Sequence, residues 1–227
     1  VALVNGLAGN VQELLDKDAP VIDPNVADTA IFYSISNAQK GLAGISFGGF
    51  LIKRVVDVLQ GEFHSLKTFS TLSPIPGFRN WLDETLGSEE SLLSDSEITH
   101  LRETASVTVE GANPLQVILA TSNWLDEDAI CDAVEPVLMR LCTRYLLKEK
   151  GRGGRAQDPV EHFHLTNGAL VERLCWKANA TEPGMERSYG LMVNYLYRLD
   201  KIEENHEAYT GDGKIKASTN VNRLLKI

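Results

Sequence analysis

What most constrains this chain is a succession that begins at residue 30: an apolar run, a glycine-rich stretch, a segment of helical period and a second apolar run that ends in prolines. Ala30 to Ser36, AIFYSIS, is short, apolar and aromatic and reads as a strand. NAQKGLAGISFGG follows as a turn region holding a second short extended piece, Gly44 to Phe47. Leu51, Val55, Val58 and Leu59 then recur at i, i+4, i+7 and i+8, with Lys53, Arg54, Asp57 and Gln60 mostly on other faces, which predicts an amphipathic helix. Leu66 to Leu72 reads as another strand, stopped by Pro74 and Pro76 ahead of a helix from about Gly77 to Leu86. Strand, glycine loop, helix, strand, helix is the order of an α/β domain. At 227 residues, 43% of them apolar, the chain can build one large core.

The flanking segments are weaker in signal. VALV at the start reads like the tail of a strand, so a preceding segment is expected; VQELLD suggests a short helix and DPNVAD a loop. Gly87 to about Asp128 is acidic and serine-rich with weak helical patterning, and predicts a helical insertion, 87–135 at its widest, whose plain reading is a solvated surface element. Leu138 to Leu147 continues as a helix into KEKGRGGRAQD, a basic glycine-rich loop that could touch a phosphate, although mobility alone explains its composition. Phe163 to Leu165 is expected to be extended. Asn167 is expected to cap a helix carrying Leu170, Val171 and Leu174, with an Asn-Gly hairpin as the competing reading. Leu191 to Tyr197 fits a strand or a helix, and no internal repeat is visible.

Charge narrows the partners. With 22 basic and 31 acidic residues the formal charge is −9, which opposes any surface that must neutralise many phosphates, so nucleic acid is not expected as a partner. A single phosphate-bearing small molecule is still compatible, because backbone N–H groups at a helix start can hold one. Cys131, Cys142 and Cys175 lie far apart, without CxxC or Cys/His spacing, so neither a disulfide framework nor a metal site is expected. No apolar run approaches the roughly 18 to 20 residues of a membrane span, and the start lacks the charge of a signal peptide. A soluble, cytoplasmic protein is expected, with no membrane partner.

Candidate site residues have plain alternatives. Gly41, Gly44, Gly48 and Gly49 lie between a strand and a helix, where small residues let amides approach an anion, yet the spacing is neither GxGxxG nor a Walker loop, so a tight structural turn stays open. Ser73 in TLSPIPGF sits at a strand end, a place for chemistry in α/β folds, although a Ser-Pro turn is usually structural. His64, His100 and His206 read as surface residues. His162 and His164 flank Phe163 and, in an extended segment, would share a face. No third ligand recurs near them, so one histidine in acid chemistry is favoured over zinc.

Taken as strings, five blocks carry more than their residue types: FYSISNAQKGLAGISFGGFLIKRVV, FSTLSPIPGF, PVEHFHLTNGA, SYGLMVNYLYRLD and YTGDGKIKAS. In that order, over about residues 30 to 218, they resemble the malonyl-CoA decarboxylase family. The resemblance implies a catalytic domain similar to the GNAT acetyltransferases: an α/β (α+β) fold with a mixed twisted sheet flanked by helices. It also implies a separate N-terminal helical domain, not part of these residues, that makes homo-oligomers. It places the family's acyl-CoA-binding loop on Ala43, Gly44, Ile45, Ser46, Phe47, Gly48 and Gly49, its catalytic serine on Ser73, its catalytic histidine on His164 and a nearby tyrosine on Tyr197. Some members carry glutamate where this chain has Ser46, so no charge role transfers there. The RLLKI end lacks an SKL address, and peroxisomal import is not expected.

The implied reaction turns malonyl-CoA into acetyl-CoA and carbon dioxide. The malonyl carboxylate is already ionised near neutral pH, because carboxyl groups titrate at about pH 4. The difficulty is the enolate left behind, which needs hydrogen-bond donors at its oxygen and a proton at its carbon. Ser73 would bind the leaving carboxylate or the enolate oxygen, His164 would protonate the carbon, and Tyr197 would support one of them. The family's usual description instead makes the serine the proton acceptor and the histidine the donor. No cofactor is required, since the thioester is the electron sink and coenzyme A enters with the substrate. A CoA-dependent acyltransferase and a non-catalytic CoA-binding module are the alternatives.

Overall fold

A computed structural model describes residues 1–33, 48–88, 92–108, 111–121 and 123–226, with the backbone alone over 48–51. Strand β1 (Ala2–Val4) pairs antiparallel with β2 (Thr29–Phe32), and β2 pairs parallel with β3 (Thr68–Thr71) across a connection that contains helix α2 (Gly48–Glu62). After Leu72 comes the two-residue β4 (Ser73–Pro74). Both β3 and β4 pair antiparallel with β6 (Met192–Leu196) in one register, Ser70 opposite Leu196 and Ser73 opposite Val193. Strand β5 (Leu170–Cys175) takes the other edge of β6. The expected mixed sheet flanked by helices is what these residues form.

Alternation along the strands divides the interior. Ala30, Phe32, Phe69, Val193, Tyr195 and Tyr197 belong to the main core, which includes residues of α3 (Phe78–Leu86), α6 (Asp128–Leu147) and α7 (Pro159–Thr166). Ile31, Leu72 and Met192 belong to a smaller cluster closed by Val11 of α1 (Val11–Leu15) and by Ala178. Burial of α2 differs from the expected stripe: Ile52 and Val56 are buried and Val58 is 55% exposed. The apolar face therefore runs through Ile52, Val55, Val56 and Leu59.

Three further expectations are corrected. The stretch after Gly87 is no solvated appendage: α4 (Asp95–Thr104) and α5 (Pro114–Leu119) bury Leu101, Leu115, Ile118 and Leu119, and Leu92, Leu93 and Trp124 join them in the core. Ser94 and Glu97 form a capping box on α4, while Arg140 of α6 holds Glu97 through two hydrogen bonds of 2.8 and 2.9 Å and also reaches the Leu92 carbonyl. Phe163 to Leu165 is helical, inside α7, and Asn167 closes that helix at its C-terminus. Leu170 to Leu174 accordingly lie in β5, with Gly168 at φ +79° making the turn between them. Leu191 to Tyr197 resolves as strand β6, and α6 runs through Pro136 back to Asp128. Helices α8 (Glu182–Ser188), α9 (Ile202–Asp212) and α10 (Thr219–Leu224) complete the described elements. Among the described residues, no helix is long and apolar enough to cross a membrane.

Candidate active site

The site starts from the two-residue period of a strand. Thr71 and Ser73 are two apart, so both side chains leave the same face of the sheet, and Tyr195 and Tyr197 do the same on the neighbouring strand. Between the paired positions, side chains join the strands: Ser70 Oγ donates to the Tyr195 carbonyl at 2.9 Å, the Tyr195 N–H donates to Thr71 Oγ1 at 3.1 Å, and Asn194 Nδ2 donates to the Thr71 carbonyl at 2.7 Å. Pro74, which lacks an N–H, follows at once. Ser73 thus sits in a stretch where pairing passes from backbone to side chains. It is 5% exposed, and its hydroxyl donates to Thr71 Oγ1 at 2.9 Å.

Helix α7 brings the second group. Its start is written locally: Asp158 caps it by accepting from the N–H groups of Val160 and Glu161, and Pro159 occupies the first turn, where its missing donor costs nothing. Asp158 also accepts from the Gly77 N–H at 3.1 Å, which ties this helix to the turn after Ser73. His164 falls in the last turn, 2% exposed. Its Nε2 lies 3.1 Å from Ser73 Oγ and its Nδ1 2.8 Å from the Tyr197 hydroxyl. The ring stacks on Tyr195 with centroids 4.5 Å apart and planes 24° from parallel, and Phe163 meets it edge-on.

Burial sets the charge of this group. It pushes the His164 imidazole from 6.5 down to about 3, so the ring is neutral at pH 7. The same burial raises the Tyr197 phenol, which keeps its proton. One turn back on α7, Glu161 is fully buried with neither carboxylate oxygen paired. Burial first, then Asp158, push its carboxyl well up, against a weaker pull from Lys150. An imidazole with hydroxyls on both nitrogens can pass a proton in either direction.

The structure brings Ser73, His164 and Tyr197 into one buried chain. Ala43, Gly44, Ile45, Ser46 and Phe47 lie outside the described residues, as does the extended piece expected at Gly44 to Phe47; Gly48 and Gly49 open α2. The shared face expected for His162 and His164 is corrected, because a helix advances its side chains by about 100° per residue and so turns two residues apart to different sides. His162 is half-buried, and its Nδ1 meets the Tyr209 hydroxyl at 2.6 Å beside a cavity of about 570 Å³ that Gly153, Gly154, Arg155 and Thr166 also line. The basic glycine-rich loop lines this cavity. His64, His100 and His206 are exposed, as expected. Sequence reasoning missed Thr71 and Tyr195, for which the only signal was a spacing of two from Ser73 and Tyr197.

Comparison with known proteins points one way. The family model for the malonyl-CoA decarboxylase C-terminal domain matches residues 1–227. Mitochondrial malonyl-CoA decarboxylase of Rattus norvegicus is 41% identical over 99% of this chain and 47% of its own length, and that of Anser anser anser 40% identical over 97% and 45%. The crystal structure of malonyl-CoA decarboxylase from Rhodopseudomonas palustris superposes with a TM-score of 0.86 at 41% identity, covering 98% of this chain and 48% of that one. The structure from Agrobacterium vitis gives 0.83 at 40%, covering 99% and 52%. The chain spans about half the length of the relatives it matches.

Proposed function

The chain belongs to the malonyl-CoA decarboxylase C-terminal domain family, and from that premise we propose that it releases carbon dioxide from malonyl-CoA and leaves acetyl-CoA. The observation that carries this reading is the chain of contacts from Thr71 through Ser73 and His164 to Tyr197, buried on one sheet face. Cleavage of the bond between the carboxylate and the methylene carbon sends its electron pair into the thioester carbonyl, and the enolate so formed takes one proton at carbon. Ser73 meets the leaving carboxylate or the enolate oxygen, and His164 supplies the proton from Nε2. Tyr197 can supply Nδ1 in the same step, so the imidazole stays neutral as the proton passes; once product has left, a solvent proton enters at Nε2 and the Nδ1 hydrogen returns to the phenolate, which restores the starting state. A low-dielectric pocket makes each of these hydrogen bonds stronger than it would be in water.

The nucleotide tail is assigned to Ala43 to Gly49, of which Gly48 and Gly49 start α2, where a helix N-terminus favours phosphate. Remote binding of that tail orients the malonyl head. Incubation with malonyl-CoA alone, followed by mass detection, is expected to give acetyl-CoA and carbon dioxide without an acceptor. Acyl transfer only when an amine or hydroxyl acceptor is added, or binding without turnover, would overturn the reading. Ser73→Ala and His164→Ala are each expected to lower turnover by about 10² to 10⁴-fold while leaving CoA affinity nearly unchanged.

A further inference from the structure

We infer that Thr71 is a positioning residue that decides which nitrogen of His164 carries the hydrogen. The Tyr195 N–H is a donor that cannot reverse, so Thr71 Oγ1 accepts from it at 3.1 Å. The Ser73 hydroxyl donates to the same oxygen at 2.9 Å. A serine has one proton, and having turned it to Thr71 it can meet His164 Nε2, 3.1 Å away, only as an acceptor. Nε2 therefore holds the hydrogen. A neutral imidazole has one N–H, so Nδ1 is bare and accepts the Tyr197 O–H at 2.8 Å. Every ring and hydroxyl proton from Ser73 to Tyr197 thus takes its direction from the bond that Ser73 donates to Thr71.

The consequence is functional. With hydrogen on Nε2 the ring faces Ser73 as a donor, poised to deliver a proton on the substrate side. With hydrogen on Nδ1 the same ring would face Ser73 as a base, which is the wrong sense for quenching an enolate. Among the described residues, the side chains that hydrogen-bond or stack on the ring, Ser73, Tyr195, Tyr197 and Phe163, carry no formal charge that could impose this. Thr71 meets this line of contacts at the Ser73 hydroxyl. It acts through Ser73.

The test is nitrogen NMR of the whole chain carrying ¹⁵N-histidine, with His164→Gln to assign the signal. The parent protein is expected to show a neutral ring with its hydrogen on Nε2. In Thr71→Val the Ser73 hydroxyl loses its acceptor and turns to the ring, so the hydrogen moves to Nδ1; Thr71→Ser restores Nε2–H. Tyr197→Phe, which deletes the partner of Nδ1, keeps the hydrogen on Nε2. A parent protein with Nδ1–H, a Thr71→Val ring unchanged from the parent, or a switch caused by Tyr197→Phe overturns the inference. Should Thr71→Val fail to fold, the parent and Tyr197→Phe still decide. In the kinetic arm, which alone rests on the decarboxylase reading, Thr71→Val lowers kcat by about 10²-fold with KM little changed, and Thr71→Ser recovers it. A protein that shows both tautomers yet never turns over malonyl-CoA sinks that reading and leaves this one standing.

Discussion

His164 and Glu161 lie one turn apart on α7, and their burial acts on stability with opposite sign. The imidazole is held down to about 3, so between that value and its ordinary 6.5 the unfolded chain binds the extra proton. Its contribution is complete above pH 6.5 and is lost as pH falls through about 3. The Glu161 carboxyl is pushed up, chiefly by burial, from its ordinary 4.5. Well below pH 4.5 it is protonated in both states and adds no ionisation cost; as pH rises the unfolded chain ionises first and folding is progressively disfavoured. Replacing it by the neutral isostere, Glu161→Gln, is expected to raise the unfolding free energy at pH 7 by about 1 to 3 kcal/mol and to leave it nearly unchanged at pH 4. Urea titrations at the two pH values check this; an equal change at both, or a loss at pH 7, contradicts it.

Among the elements, α7 shows what sequence carries and what it hides. Phe163 and Leu165 alternate with two histidines, which favours a two-residue period over so short a span. The decisive signal was upstream: Asp158 before Pro159 is a cap followed by a first-turn proline. With α7 read as a strand, Asn167 could only be the start of the next element instead of the end of this one. The order strand, helix, strand, by contrast, was legible because each of these members keeps its period for several residues. The turn from α7 into β5 tests the assignment. Gly168 has φ +79°, and a Cβ there would run into the Ile202 carbonyl at the start of α9. Gly168→Ala is expected to cost about 2 kcal/mol or more, read as a lower melting temperature, whereas a flexible turn would accept it with no shift.

For the whole molecule, the candidate site was legible as residue types and as family blocks, but not as geometry. Ninety-one positions separate Ser73 from His164, and their meeting follows from β6 lying beside β3 and β4 under α7, which no local pattern states. Thr71 escaped for the same reason, since its partner Tyr195 is 124 positions away. Long-range ties also hold the start of the chain. Arg173 on β5 donates from Nη2 to the carbonyls of Leu7 and Ala8 and from Nε to Asn194 at 2.8 Å. Asn194 in turn donates to the carbonyls of Ala8 and Thr71. Arg173→Met keeps the stem and removes the fork, and is expected to make the first sixteen residues faster to cleave in limited proteolysis; an unaltered cleavage pattern would show that the cluster around Val11 and Ile31 suffices alone. Where the sheet passes its pairing to side chains, the amide of Tyr195 leans on a rotatable threonine oxygen instead of a fixed carbonyl. Its isotope exchange then keeps time with a single rotamer: a compound that turns Thr71 would unshield one amide deep in the protein while the flanking sheet stays closed.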